Sequence, residues 1–131
     1  MLLVPTRLAS SAIHGLGVFA ASPIAKGAAV WRFAKGLDME FSPDIADGLP
    51  EHVRAFFAHY GYLDRNVKRI ILCFDDARFV NHSDTPNVAT DYAQDPYGLD
   101  IALRGIAAGE ELTMDYTGFE EAAERFSHAP R

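Results

Sequence analysis

Three short segments of this 131-residue chain hold residues able to do chemistry. The first is Arg78-Phe79-Val80-Asn81-His82-Ser83-Asp84-Thr85-Pro86-Asn87, where amide, imidazole and hydroxyl groups crowd between apolar strands. Asn-His-Ser ahead of Pro-Asn makes a tight turn whose side chains bond their own backbone. A histidine beside a serine also suggests a hydrolase. Adjacent residues on one turn rarely aim at each other as base and nucleophile, and no Gly-x-Ser-x-Gly elbow is present. His82 has no second ligand at metal-binding spacing, so no metal site is expected.

The second segment is Gly15-Leu16-Gly17-Val18-Phe19. No helix follows it, so it is not a dinucleotide fingerprint. Its use would be to let backbone approach a ligand closely and present amide and carbonyl groups. The third is Gly109-Glu110-Glu111-Leu112-Thr113-Met114-Asp115-Tyr116, a strand whose end could present the Tyr116 phenol at a cleft. Taken singly, each segment also has a plain reading as a turn or a packed strand end.

The elements that must position these residues are mostly short strands punctuated by Gly, Pro, Asp and Asn. Met1 to Val4 reads as an edge strand. Leu8-Ala9 and Val18-Phe19-Ala20 flank a turn at His14 to Gly17, which predicts a hairpin. Further strands are expected at Ala29 to Phe33, Val67 to Phe74, Asn87 to Tyr92, Leu99 to Arg104 and Leu112 to Tyr116. Ser42-Pro43 resembles an N-cap followed by proline at the first helical position, so a short helix is expected there. A second helix runs between Pro50 and Gly61, with Val53, Phe56, Phe57 and Tyr60 on one face. Phe119 to Phe126 reads as a short terminal helix.

One internal repeat is visible. Ile24-Ala25-Lys26-Gly27-Ala28-Ala29-Val30 matches Ile106-Ala107-Ala108-Gly109-Glu110-Glu111-Leu112 at a constant offset of 82 residues (106 − 24). Each copy is an apolar residue, a tight glycine turn and an entering strand, which predicts two similarly built β-corners.

Composition bounds the rest. The length is that of one ordinary domain, and 49% apolar residues supply a core without staples. No apolar run is long enough to span a membrane, and the N-terminus does not read as a signal peptide. The single cysteine, Cys73, excludes an intrachain disulfide and a cysteine-based zinc site, and an intracellular location is expected. A net charge of −6 argues against nucleic acid as a direct ligand and suits a basic partner.

In combination and in this order, the three segments resemble the SET-domain family of lysine methyltransferases, short stand-alone members most of all. The resemblance runs from about residue 9 to 119 and rests on Arg-Phe-x-Asn-His-Ser-x-x-Pro-Asn followed by Gly-Glu-Glu-Leu-Thr-x-Asp-Tyr. It implies a single SET domain over 1–131: a mainly β fold of several small sheets around a pseudoknot, with short helices. The knot would bring Asn81, His82 and Tyr116 together. The resemblance further implies that Gly15, Leu16, Gly17, Asn81, His82 and Tyr116 hold S-adenosylmethionine. Tyr116 would be the catalytic residue at the junction of cofactor and lysine channel, with Asp115 and Arg78 supporting the knot. Channel aromatics would come from Phe33, Tyr62, Tyr92 and Phe119.

The implied reaction is an in-line displacement by a lysine amine. Lysine titrates near ~10.4, so the amine must first lose its proton. A sulfonium ~4 Å away disfavours the ammonium by roughly 4 kcal/mol at an effective dielectric of ~20, about three pKa units. The substrate would be a histone or another basic protein. Zinc-bearing relatives carry cysteine where Asp84 stands, so a zinc module is not expected, and residues 119–131 or a second subunit of a homodimer would wall the channel. The competing reading is a SET-like module that binds cofactor or a basic peptide without efficient turnover.

Overall fold

The computed structural model describes residues 1–121 of the chain. Among the described residues, ten short strands form three small sheets, with one α-helix. Strands β1 (Thr6–Ser10) and β2 (Leu16–Ala20) pair antiparallel, as the hairpin pattern predicts. Strand β3 (Ala29–Arg32) follows, then β4 (Met39–Phe41) and helix α1 (Glu51–Tyr60). Strands β5 (Tyr62–Leu63) and β6 (Ile70–Leu72) lie with β4 in a sheet ordered β4-β6-β5. The largest sheet is ordered β3-β9-β8-β10-β7, where β7 is Asn81–His82, β8 Val88–Asp91, β9 Leu99–Ala102 and β10 Thr113–Met114.

The two copies of the repeat pair with each other. Ile24 and Ile106 exchange backbone hydrogen bonds of 2.8 Å in both directions. The same offset carries outward. Gly27 N–H donates to the Ala102 carbonyl and Gly109 N–H to the Ala20 carbonyl, while Ala102 N–H reaches Ala28 and Ala20 N–H reaches Glu110. The corners are therefore related by a local two-fold axis. Both turns need glycine, since Gly27 and Gly109 have φ of +81° and +87°. Ile24 and Ile106 are buried in the main core with Val18, Val30, Val88, Leu112 and Met114.

Several expected elements are shorter or different. Met1 to Val4 forms only a single bridge, Leu2 to Trp31, rather than a strand. Ser42-Pro43 starts no α-helix. The Ser42 hydroxyl bonds the Asp44 carboxylate instead of capping, and a single 3-10 turn at Ile45–Gly48 follows. Helix α1 has the expected bounds, with Phe57 buried, but Phe56 is 41% exposed and lies off the buried face. Its end is set by packing. A Cβ on Gly61 would meet the Phe57 carbonyl oxygen at 2.9 Å and that of Ile71 at 3.2 Å.

The strand expected over Val67 to Phe74 is only Ile70–Leu72. The residues before it belong to a turn wound around Asp64, whose Oδ1 accepts from the backbone N–H groups of Asn66 (2.8 Å) and Val67 (2.9 Å). The terminal helix expected over Phe119 to Phe126 lies largely outside the described residues. Its first part instead runs beside β5: Arg65 N–H donates to the Phe119 carbonyl, and Glu121 N–H to that of Leu63.

Candidate active site

Strand β10 lies between β7 and β8 and runs parallel to both, so Thr113 stands opposite Asn81 and Met114 opposite His82. Residues separated by more than thirty positions thereby become neighbours. Asn81 is 4% exposed, and its side-chain amide is a hub. Nδ2 donates to the carbonyls of His14 (3.1 Å) and Leu16 (3.0 Å) and to Glu111 Oε2 (2.9 Å). The Ser11 hydroxyl donates to Glu111 Oε1 at 2.7 Å. One amide thus ties the Gly15-Leu16-Gly17 turn to the knot segment.

Glycine is required twice in that turn. Gly15 has φ +47°, and a Cβ on Gly17 would lie 2.4 Å from Glu111 Oε2. Glu111 had no assigned role in the sequence. Its signal was only its place in Gly-Glu-Glu, and the contacts it makes join segments a hundred residues apart.

His82 is oriented from both sides. Its Nδ1 accepts from the Tyr116 backbone N–H at 3.1 Å, so Nε2 carries the proton, and Nε2 lies 2.9 Å from Asp84 Oδ1. Its ring meets Tyr116 edge-on, with centroids 5.3 Å apart. Ser83 takes no part in a nucleophile–base pair, since its hydroxyl accepts from Thr85 N–H at 3.0 Å. This geometry removes the hydrolase reading. Tyr116 opens a 3-10 turn, Tyr116–Gly118, capped by Asp115, whose carboxylate accepts from Thr117 N–H and the Thr117 hydroxyl. That capping, the Thr117 hydroxyl bond above all, holds the Asp115 carboxyl below its ordinary range. The Tyr116 phenol donates to the Val80 carbonyl.

On the other side of Tyr116 lies a cavity of about 650 Å³, counting its open mouth. Tyr62, Phe119 and Tyr116 line it, together with Tyr60, Met114 and Trp31. Phe119 packs edge-on against both Tyr62 (4.9 Å between centroids) and Tyr116 (5.7 Å). Phe33 and Tyr92, the other expected channel residues, do not line it. Phe33 stacks on Tyr97 at 4.2 Å, and the Tyr92 phenol is spent on Asp64 Oδ2 and the Phe119 carbonyl. Gly15, Leu16, Gly17, Asn81 and His82 lie outside the cavity too, so among the predicted cofactor residues only Tyr116 belongs to both neighbourhoods.

Two ionisable groups of the cavity wall are held neutral. Burial pushes the Tyr62 phenol and the Cys73 thiol well above their ordinary values, so both keep their protons. Arg78, expected to support the knot, braces the cavity wall: its guanidinium donates twice to the Cys73 carbonyl and lies over the Phe56 and Tyr60 rings. One acid breaks the apolar lining. Asp100 is 8% exposed, and burial, opposed by the Thr90 hydroxyl, pushes its carboxyl up to about 7.

The turn side of Tyr116 suits S-adenosylmethionine. The carbonyls of His14 and Leu16 and the Glu111 carboxylate form an acceptor-rich cluster fit for a cationic ligand, and exposed Leu16 offers apolar surface beside it.

Comparison with known proteins agrees with this architecture. The family described as the SET domain matches residues 15–117. No curated protein sequence matches the chain significantly. Among solved structures, the chain is similar to a proposed histone methyltransferase of Plasmodium falciparum, with 18% identity and a TM-score of 0.58, covering 88% of this chain and 95% of that one. It is also similar to an inhibitor-bound, humanised mutant of the Chaetomium thermophilum Polycomb Repressive Complex 2, with 23% identity and a TM-score of 0.62. That match covers 90% of this chain and 16% of the other. At such identities these structures speak to the fold.

Proposed function

The chain belongs to the SET-domain family, and on that premise we infer that it transfers a methyl group from S-adenosylmethionine to a lysine side chain of a basic protein. One observation carries the reading. Tyr116 stands where the Asn81–His82 cluster, tied to the glycine turn, meets a cavity lined largely by aromatic and aliphatic side chains. A methyl donor on one side and an acceptor amine on the other would meet there.

S-adenosylmethionine supplies an electrophilic methyl group on a positively charged sulfur. The protein's own residues do the rest. The His14 and Leu16 carbonyls, fixed by Asn81, would hold the donor. The aromatic walls exclude water and disfavour the ammonium form of the amine, which frees its lone pair. The Tyr116 phenol, already aimed at the Val80 carbonyl, fixes one edge of the reacting position. Positioning then accounts for much of the rate. The net charge of −6 favours a lysine-rich partner, and a histone or another basic intracellular protein fits equally.

The test is incubation with isotopically labelled S-adenosylmethionine and basic proteins, with modified sites mapped by mass spectrometry. Tyr116→Phe should lower turnover on the order of a hundredfold or more while calorimetric affinity for the cofactor changes little. Cofactor binding with no protein ever methylated would mark a binding module instead. Near-normal turnover by Tyr116→Phe would remove the assigned role of the phenol.

A further inference from the structure

The cavity lining is not a plain apolar surface. Trp31 and Asp100 are register partners across β3 and β9, and Thr90 and Asp100 across β8 and β9. Directly opposed residues project from the same face of a sheet, so an indole, a carboxylate and a hydroxyl form one polar rung. All three line the cavity. The Thr90 hydroxyl donates to Asp100 Oδ1 at 2.7 Å. Trp31 is 4% exposed, and its Nε1–H has no partner among the described residues.

Such a rung is costly. An unpaired buried donor costs about 1–3 kcal/mol, and a buried carboxylate is tolerated when a cation or hydrogen bonds meet it. Thr90 meets one oxygen of Asp100. The charges that act on Asp100 from elsewhere are the N-terminal ammonium, which favours its ionised form, and Asp64, which opposes it. Tyr62 and Cys73 face it as neutral groups. Among the described lining residues the one cation is Arg78, which is engaged with the Cys73 carbonyl and two aromatic rings. The rest of the wall is aromatic and aliphatic. The Trp31 N–H calls for an acceptor, and the Asp100 carboxylate, met by Thr90 at one oxygen, is complementary to the protonated amine tip of a guest with an apolar stem.

We propose that Asp100 receives the terminal ammonium of the substrate and takes its proton. The inference rests on the methyltransferase reading for its substrate and deepens it by naming a group that selects a primary amine. In the proton step one N–H bond of the ammonium breaks and an O–H bond forms on the Asp100 carboxylate. The electron pair stays on nitrogen as the lone pair that later attacks the methyl carbon. Asp100 suits both halves of this role. Ionised, it attracts the cation. Buried, it has a proton affinity far closer to that of an amine in an apolar channel than an exposed aspartate would have.

Trp31 is the single tryptophan of the chain, so its indole N–H resonance reports on the pocket without ambiguity. The probe is n-butylammonium chloride, with n-butanol as the uncharged control. At about pH 8, where Asp100 is ionised, butylammonium should shift the indole resonance saturably, and Asp100→Asn should weaken that binding on the order of tenfold. Asparagine keeps the shape and an acceptor for Thr90, and butanol binding, unchanged in the variant, shows that the pocket is intact. With peptide substrates, Asp100→Asn should lower kcat/KM on the order of tenfold or more at unaltered cofactor affinity.

Equal butylammonium binding by Asp100→Asn, an unperturbed indole in the native protein, or an unchanged kcat/KM would each overturn the proposal. If the native protein methylates nothing yet binds butylammonium through Asp100, the methyltransferase reading falls and the amine site stands. If peptides are methylated equally well by Asp100→Asn, the reverse holds.

Discussion

A buried acid in the cavity lining has a consequence that does not depend on any substrate. Burial penalises the charge of the Asp100 carboxyl and pushes it up to about 7 in the folded chain, against about 3.9 when unfolded. Its folded-state proton affinity is raised, so the folded state binds more protons between these values. The stability associated with neutral Asp100 is therefore fully present below about pH 4 and is lost as pH rises through about 7. Three units at ~1.4 kcal/mol each make the full loss about 4 kcal/mol. Asp100→Asn removes the titration while keeping the size of the side chain and an acceptor for the Thr90 hydroxyl. The stability of the variant minus that of the native protein should therefore rise by about 1.4 kcal/mol per pH unit between roughly pH 4 and 7 and then level off. Exposed carboxylates such as Asp91, Glu110 and Asp115, held low by hydrogen bonds, push native stability the opposite way. They are present in both proteins and cancel in the difference. Urea unfolding followed by the fluorescence of buried Trp31, repeated across this pH range, gives the difference directly. A gap that stays constant from acid to neutral pH would refute the reasoning, because it would mean that Asp100 is not held in a desolvated place.

Other consequences follow from single contacts. Asn81→Ala leaves the Glu111 carboxylate and two carbonyls without their shared donor. It should cost about 1–3 kcal/mol in urea unfolding and weaken S-adenosylmethionine binding in calorimetry by loosening the glycine turn. Asp64 is fully buried and accepts from two backbone N–H groups and the Tyr92 phenol. Asp64→Ala should destabilise by about 3 kcal/mol or more, with hydrogen exchange accelerating first at Asn66 and Val67. Gly27→Ala and Gly109→Ala place a Cβ in equivalent left-handed turns with open space around each. The two variants should lose similar stability, about 1–2 kcal/mol each, and a large inequality in thermal unfolding would argue against the two-fold relation of the corners.

What the sequence made legible was whatever had a local cause. The hairpin around Gly15 to Gly17 is set by glycine, helix α1 by its proline start and apolar spacing, and the paired corners by their own repetition. The grouping of Asn81, His82 and Tyr116 was expected from the family resemblance, and the parallel placement of β7 and β10 brings these residues together. The failures have a common cause in long-range competition. Ser42 had the side chain of a cap, but a nearer partner in Asp44 took it. Strand β5 is two residues long and has no periodicity to find, and the turn after it depends on Asp64, whose partners include Tyr92 from a distant strand. Phe33 and Tyr92 are aromatic residues near the cavity, and composition cannot tell a lining ring from one spent on Tyr97 or Asp64.

Asp100 shows the limit most clearly. Leu99-Asp100-Ile101-Ala102 alternates as an antiparallel strand with one wet face would, which puts the aspartate toward water. In the structure β9 is an inner strand, and the burial runs the other way: Asp100 and Ala102 are buried, while Leu99 and Ile101 are half-buried. A chain selected for stability alone would have a small apolar residue at this position. An acid kept there against a penalty of about 4 kcal/mol implies a compensating use. Asp100 lines the cavity shared with Tyr116, so a stability measurement and an amine titration on the same Asp100→Asn protein test the cost and the use together.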